Sequence, residues 1–291
     1  MIGNQPRPFW GTVIGGSFFR LGNTIAAVAL PWLILDLTAS ATLAGVTASA
    51  SLATVFLGSL AGGFLIDRYG ARTTATVAGV TGVLCVALVP VAASLGPEKA
   101  WVIVVLSAFG AFLDAPGMVA QDNRIPEMAA AAGLTLTRAL SAKSVANNAV
   151  FLSGPAIAGA TIGAWGLDAA FWIAASCNLI SVALSLAYLA GRELSRTSPR
   201  VDWLAGLFFI LRDPPTRRML LLTLTVVGCN GTIMSVQLPA LFQLEDRSAT
   251  DLGFAGAALG AGAVVGAILL SIWKEKIQAR GFLGASIASA A

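Results

Sequence analysis

The stretch Gly62–Thr73, GGFLIDRYGART, ends a long uncharged run and then brings Asp67, Arg68 and Arg72 close together. Its neighbours decide what such a knot is. Thr42 to Ile66 before it and Thr73 to Ala93 after it carry no charge, and each has the roughly 20 apolar residues a helix needs to cross a hydrocarbon core. The knot therefore reads as a short turn between two membrane helices. Gly70 permits a tight turn that a Cβ would resist, and Gly63 lets neighbouring helix backbones approach. Asp67, at a helix end, calls for partners that Arg68, Arg72 or another helix's N-terminal amides could supply.

The rest of the chain has the same character. Hydrophobic residues make up 57% of it and charged ones 11%, where a soluble domain carries roughly 25% charged residues. Further apolar runs lie at about Phe9 to Leu35, Ala100 to Ala120, Thr137 to Gly163, Ala169 to Leu189, Met219 to Phe242 and Phe254 to Trp273. A ninth begins at Gly281, too near Ala291 to span. The expected fold class is an all-α polytopic membrane protein. The first run is too long for a signal peptide's apolar region, contains Arg20 and Asn23, and lacks a convincing cleavage site, so it is expected to remain as a membrane helix. Cys85, Cys177 and Cys229 all fall inside predicted spans and histidine is absent, which supports neither a disulfide framework nor a Cys/His metal site. No nucleotide-binding loop is present, and no cofactor is expected.

Charge orients the bundle. With the N-terminus in the cytoplasm, every Lys and Arg except Arg20, Lys99 and Arg247 falls on the cytoplasmic side. That is a strong positive-inside bias, so the net charge of +4 reports topology and not nucleic-acid binding. The connection Ala190 to Arg218 is rich in arginine, and Trp203, Leu204, Leu207, Phe208 and Leu211 recur at helical spacing within it. It reads as an amphipathic linker on the cytoplasmic membrane surface with no regulatory role.

An internal repeat organises the whole. Val28–Gly45, VALPWLILDLTASATLAG, aligns without gaps on Val236–Gly253, VQLPALFQLEDRSATDLG, matching Leu30 with Leu238, Pro31 with Pro239, Ser40-Ala41-Thr42 with Ser248-Ala249-Thr250, and Gly45 with Gly253. The same register carries Asp67, Arg68 and Arg72 onto Glu275, Lys276 and Arg280. Six helices separate the repeat starts, so both copies enter the membrane in the same direction, a parallel repeat. The expected organisation is an N-terminal six-helix bundle over 1–189, a linker over 190–218, and an incomplete second half over 219–291. By this arithmetic a complete pair of copies runs to roughly 416 residues, and the chain is expected to be truncated.

Polar groups within the spans are the other clues, because an ionisable side chain at the bilayer centre costs at least about 2.5 kcal/mol and usually faces a partner or a watery path. Arg20 and Asp114 are the two candidates, for proton coupling or a buried ion pair. Asn23, Asn147, Asn178, Asn230 and Gln237 are candidates for cavity lining. In LSGPAIAGATIG, Gly154-Pro155 loosens the fifth span and Gly159 to Gly163 offers a small-residue packing face.

These residues resemble a known family. Gly63, Asp67, Arg68, Gly70 and Arg72 fit the loop signature Gly-x-x-x-Asp-Arg-x-Gly-x-Arg of the major facilitator superfamily. LPWLILDLTASATLAG, FLDAPGMVAQDNRIPEM, SGPAIAGATIG and FFILRDPPTRRML are similar to its drug-efflux branch, which holds macrolide exporters and the enterobactin exporter. The resemblance implies a major facilitator fold, with the loop residues latching the two halves on the cytoplasmic side. It also implies that Gly154, Pro155, Gly159 and Gly163 form an antiporter-like motif. The function implied is proton-coupled secondary export of small amphipathic molecules such as drugs or siderophores, in a bacterial inner membrane. The partners are then lipid, a small-molecule substrate and protons, with no nucleic acid and no nucleotide. A non-transporting remnant or scaffold is the alternative, and a lipid or nutrient carrier a further one. DRYGAR resembles in part the opening of CDP-alcohol phosphotransferases, but those enzymes need aspartates on the next helix, and the third span here has none. An enzyme is not expected.

Overall fold

Where they are described, the apolar runs are helical in the computed structural model, which describes residues 6–188, 212–233, 237–245 and 247–273. In order these are α1 (Pro6–Thr38), α2 (Ala41–Tyr69), α3 (Ala71–Ala93), α4 (Ala100–Asn123), α5 (Ile125–Ala131), α6 (Leu136–Tyr188), α7 (Pro214–Thr232), α8 (Leu238–Leu244) and α9 (Ala249–Trp273), with a 3-10 turn at Pro97–Lys99. Among the described residues there is no strand. Five segments are long and apolar enough to cross a membrane: Arg7–Thr38, Ala41–Tyr69, Ala71–Ala93, Pro97–Ala131 and Leu136–Ala187. The last would measure about 80 Å unbroken, but Gly166 interrupts it at φ 85, ψ 174. The two spans expected here, Thr137 to Gly163 and Ala169 to Leu189, lie on either side of that break.

Packing follows the small residues. α1 lies against α6, α2 against α4, and α3 against both α4 and α6. The main core joins Ile25, Ala29, Leu33 and Ile34 of α1 to Ala170, Phe171 and Ala174 in the second arm of α6. Outward faces are as apolar as the core: Phe56, Phe64 and Phe109 are all exposed, as expected where lipid and not water is the solvent. Trp101 and Trp165 are 62% and 71% exposed at helix ends, where indoles favour a membrane interface.

The turn at Gly70 has the conformation its sequence demands. Its φ of 83 and ψ of 154 fall in a region open essentially to glycine. Its N–H donates to the Ile66 carbonyl at 2.8 Å, closing α2, while its own carbonyl accepts from the Thr74 hydroxyl at 2.9 Å, opening α3. Gly70→Ala is expected to destabilise the chain by about 1–3 kcal/mol. Gly70→Asn should give no rescue, because asparagine favours the left-handed helical region and not this one; thermal unfolding of the purified variants checks both.

One expectation of the packing needs correction, and one helix was not foreseen. Gly63 does not bring helices together, because a Cβ there would meet nothing within 4 Å. Gly58 and Gly62 do so instead, against Phe112 and Pro116 of α4. The expected span Met219 to Phe242 is described as α7 up to Thr232 and as α8 from Leu238, with residues 234–236 between them outside the described residues. Between α4 and α6 stands an unanticipated helix, α5, with Pro126 near its start, burying Ile125, Met128 and Ala129 beside Phe9, Val13 and Ala139.

The repeat is visible in hydrogen bonds. Ser40 Oγ caps α2 by accepting from Leu43 N at 3.2 Å, and Ser248 Oγ, its counterpart, accepts from Asp251 N at 3.2 Å at the start of α9. Such caps satisfy otherwise orphaned helix donors. The greater part of the Ala190 to Arg218 linker, the Glu275, Lys276 and Arg280 echo and the ninth run from Gly281 lie outside the described residues.

Candidate functional site

Three polar side chains from three helices meet inside the bundle. α4 presents Asp114, α1 presents Asn23 and the second arm of α6 presents Asn178. Asn23 Nδ2 donates to Asp114 Oδ2 at 3.1 Å, and Asn178 Nδ2 lies 3.5 Å from Asn23 Oδ1. Gly22 allows this meeting, because a Cβ there would stand 2.7 Å from both Asn178 Oδ1 and the Ala174 carbonyl. Asn178 is fully buried behind Asn23, so it backs the site and does not line a cavity. Asn23 and Asp114 do line one, of about 250 Å³, enclosed by α1, α2, α3, α4 and Phe171 of α6. Asp114 Oδ1 is buried and makes no hydrogen bond among the described residues.

Towards the other end of α1 and α4 lies an ionic cluster. Arg20 is one turn before Asn23 and does not pair with Asp114; it sits 3.6 Å from Asp122, which also holds Lys143 of α6 at 2.6 Å. Arg20 is thus the ion-paired candidate, and Asp114 is held by a hydrogen bond. Asn147 joins Arg20, Asp122 and Lys143 around a small pocket of about 20 Å³. Asp122 was missed as a site residue in the sequence. Its signal was spacing: eight residues after Asp114 is about two helical turns, which places both carboxyls along one side of α4.

The loop knot does not form its expected pairs. Asp67 and Arg72 take part in none of the ion pairs among the described residues. Arg68 instead lies 5.9 Å from the Phe64 ring centre and 5.6 Å from that of Tyr69, a weak exposed cation–π arrangement. Asp67 and Arg68 are exposed.

The first arm of α6 lies between α1 and α9. A Cβ on Gly154 would come 2.7 Å from Thr24 Cγ2 of α1. On the other side, Thr250 Oγ1 donates to the Gly159 carbonyl at 3.3 Å and its side chain fills the space beside Gly163. Pro155 and Gly159 receive Gly253 and Gly256. Gln237, just before α8, is exposed, and the side chain of Asn230, on α7, lies outside the described part of the structure. Among the described residues no group of His, Cys, Asp or Glu could hold a metal ion.

Comparison with known proteins gives relatives along most of the chain. It is 29% identical over 268 residues to the multidrug efflux pump Tap of Mycolicibacterium fortuitum, covering 89% of this chain and 65% of that one. It is 32% identical over 269 residues to the multidrug efflux pump Tap of Mycobacterium tuberculosis, covering 89% and 64%. The enterobactin exporter EntS of Shigella boydii is 28% identical over 254 residues, covering 84% and 58%. The chain therefore spans less than two thirds of the length of these relatives. The crystal structure of a D-xylose–proton symporter superposes with a TM-score of 0.63 at 16% identity, covering 93% of this chain and 69% of that one, which speaks to the fold alone. The family model of the Major Facilitator Superfamily matches residues 12–291, and the chain belongs to that superfamily.

Proposed function

We propose that the chain belongs to a secondary active exporter that moves small amphipathic molecules, drugs or siderophores, against an inward flow of protons. The observation that carries this reading is Asp114: a carboxyl within a membrane helix and beside a cavity, held through one oxygen by Asn23 while the other is buried without a hydrogen bond among the described residues. Ionisable groups kept at membrane depth usually serve an ion or substrate path. The multidrug efflux of the Tap relatives and the enterobactin export of the EntS relative support the direction and cargo class.

In this reading residues 1–189 form the first rocking half, 190–218 the linker and 219–291 the beginning of the second half, with the N-terminus in the cytoplasm of a bacterial inner-membrane protein. Alternating access comes from rocking one half against the other. Gly63, Asp67, Arg68, Gly70 and Arg72 form a cytoplasmic latch whose exposed charges engage the second half. Gly154, Pro155, Gly159 and Gly163 form the hinge face that the second half rides on.

The test is ethidium accumulation in cells expressing the full coding frame, with and without a protonophore. Expression should lower accumulation, the protonophore should abolish the difference, and Asp114→Asn should leave ethidium at the empty-vector level. Export that survives both the protonophore and Asp114→Asn would overturn proton coupling through this residue. No lowering of accumulation by any of ethidium, tetracycline and a catecholate siderophore would favour the non-transporting alternative.

A further inference from the structure

The line Asn178–Asn23–Asp114 has a direction. An ionised carboxyl can only accept hydrogen bonds, so Asn23 must turn its Nδ2 to Asp114, at 3.1 Å, which leaves Asn23 Oδ1 to accept from Asn178 Nδ2 at 3.5 Å. Every donor in the line points towards Asp114. The far end shows the consequence: Asn178 is fully buried, and its Oδ1 makes no hydrogen bond among the described residues. A buried polar atom left unmade at the end of a bonded line calls for an explanation. Nothing from outside reaches so deep an atom, and the explanation lies within the line.

The opposite direction satisfies it. When hydronium gives one proton to Asp114 Oδ2 and leaves as water, that oxygen loses its charge and becomes an O–H donor. The Asn23 amide then turns over to accept through its Oδ1, and its Nδ2 donates to Asn178 Oδ1, the atom without a bond in the first direction. Turning the Asn178 amide as well carries its Nδ2 to the side of the Ala174 carbonyl, because Asn178 Oδ1 and that carbonyl both lie 2.7 Å from the point a Gly22 Cβ would occupy. Glycines flank this amide: a Cβ on Gly22 of α1 would jam it, and one on Gly82 of α3 would stand 3.7 Å from its Nδ2.

Few ionisable groups compete for the proton. Cys85 of α3 lines the cavity beside Asp114, but a thiol is neutral throughout the acid range. On α1, Arg20 is committed to Asp122 of α4, which also holds Lys143 of the first arm of α6. Asp36 of α1 and Asp168 of α6 are exposed, several turns away along their helices. α2 lends the cavity Thr47 and Ser51 but no ionisable side chain, and the second arm of α6 lends it Phe171.

We infer that Asn178 is a positioning residue for Asp114: with Asn23 it forms an amide relay whose two directions belong to the ionised and the protonated carboxyl. Uptake of one proton turns both amides over, and the charge of α4 is thereby felt in the second arm of α6. The relay rests on the reading of Asp114 as the carboxyl that takes up a proton, and adds to it the two residues that register the event.

Infrared difference spectroscopy tests this without transport. The full chain, isotope-labelled at its asparagine side-chain carbonyls, is placed in lipid nanodiscs and its spectrum at neutral pH is subtracted from that in acid. A protonated-carboxyl band should rise on acidification and be lost in Asp114→Asn. With it, one labelled carbonyl should shift to lower frequency, as the free Asn178 Oδ1 gains its bond. That shift should be lost in Asp114→Asn, where nothing titrates, and in Asn178→Leu, which has no amide. Should Asn178→Leu fail to fold, Asn178→Ser takes its place with the same expectation. A carboxyl band that titrates with no asparagine shift would overturn the relay alone, as would a shift that survives either substitution. No titrating Asp114 band at all would overturn both the relay and proton coupling through this residue. The expected spectra in a chain that fails to lower ethidium accumulation would leave the relay standing and count against the export reading.

Discussion

Replacing Gly58 by alanine is expected to separate α2 from α4 and to cost the chain about 3 kcal/mol, the upper end of overpacking penalties. The added Cβ would overlap the carbonyl oxygen of Phe112 and come 2.9 Å from its carbonyl carbon. Those are backbone atoms of a helix, so no side-chain rotation relieves the clash and α4 must move as a whole. Gly63, on the same helix, is the control. Its Cβ would meet nothing within 4 Å, so Gly63→Ala should gain up to about 1 kcal/mol of helix propensity. Thermal denaturation in detergent, followed by loss of the monodisperse peak, should therefore rank Gly63→Ala at or above the parent and Gly58→Ala well below it. Equal melting of the two variants would show that α2 does not pack through this face.

The expectation that Gly63 faces a neighbouring helix failed for a physical reason. In a soluble helix the polar face marks the outside, but here lipid and protein interior are equally apolar and the periodicity that fixes helix rotation vanishes. Gly62 and Gly63 are both glycine and about 100° apart around the helix, so only packing decides between them. What was legible depended on rare residues. Gly70 stood between uncharged runs and two charges, and the structure gives it a conformation open essentially to glycine. Ser40 and Ser248 aligned in the repeat, and both cap helices through the third residue on. Asp114 was visible as a carboxyl within a span, but its bond to Asn23 and the pairing of Arg20 with Asp122 are contacts between helices, which no single-helix pattern records.

Gly253→Leu is expected to detach α9 while leaving the bundle it leans on intact. At Gly253 a Cβ would stand 2.7 Å from the Pro155 carbonyl oxygen and 2.8 Å from Gly159 Cα, and at Gly260 3.0 Å from Leu152 Cα. The contact is thus backbone against backbone over successive turns, held further by the Thr250 hydroxyl on the Gly159 carbonyl. A leucine has no space there, and losing the contact over several turns should outweigh any single hydrogen bond. Gly163→Cys with Thr250→Cys, in a chain whose native cysteines are replaced, should form a disulfide under mild oxidation, because Thr250 fills the space beside Gly163. Adding Gly253→Leu should reduce that cross-link to background. Gly262→Leu, on the same helix but with nothing within 4 Å, should leave it unchanged. The α1–α6 core uses none of these α9 residues, so the thermal unfolding of that bundle should survive Gly253→Leu, while on the proposed export reading ethidium export by the full coding frame should fall to the empty-vector level. A cross-link as strong in Gly253→Leu as in the parent would mean that α9 docks elsewhere. Export that persists after the cross-link is lost would remove the α6–α9 contact from the mechanism and leave it a purely structural seam.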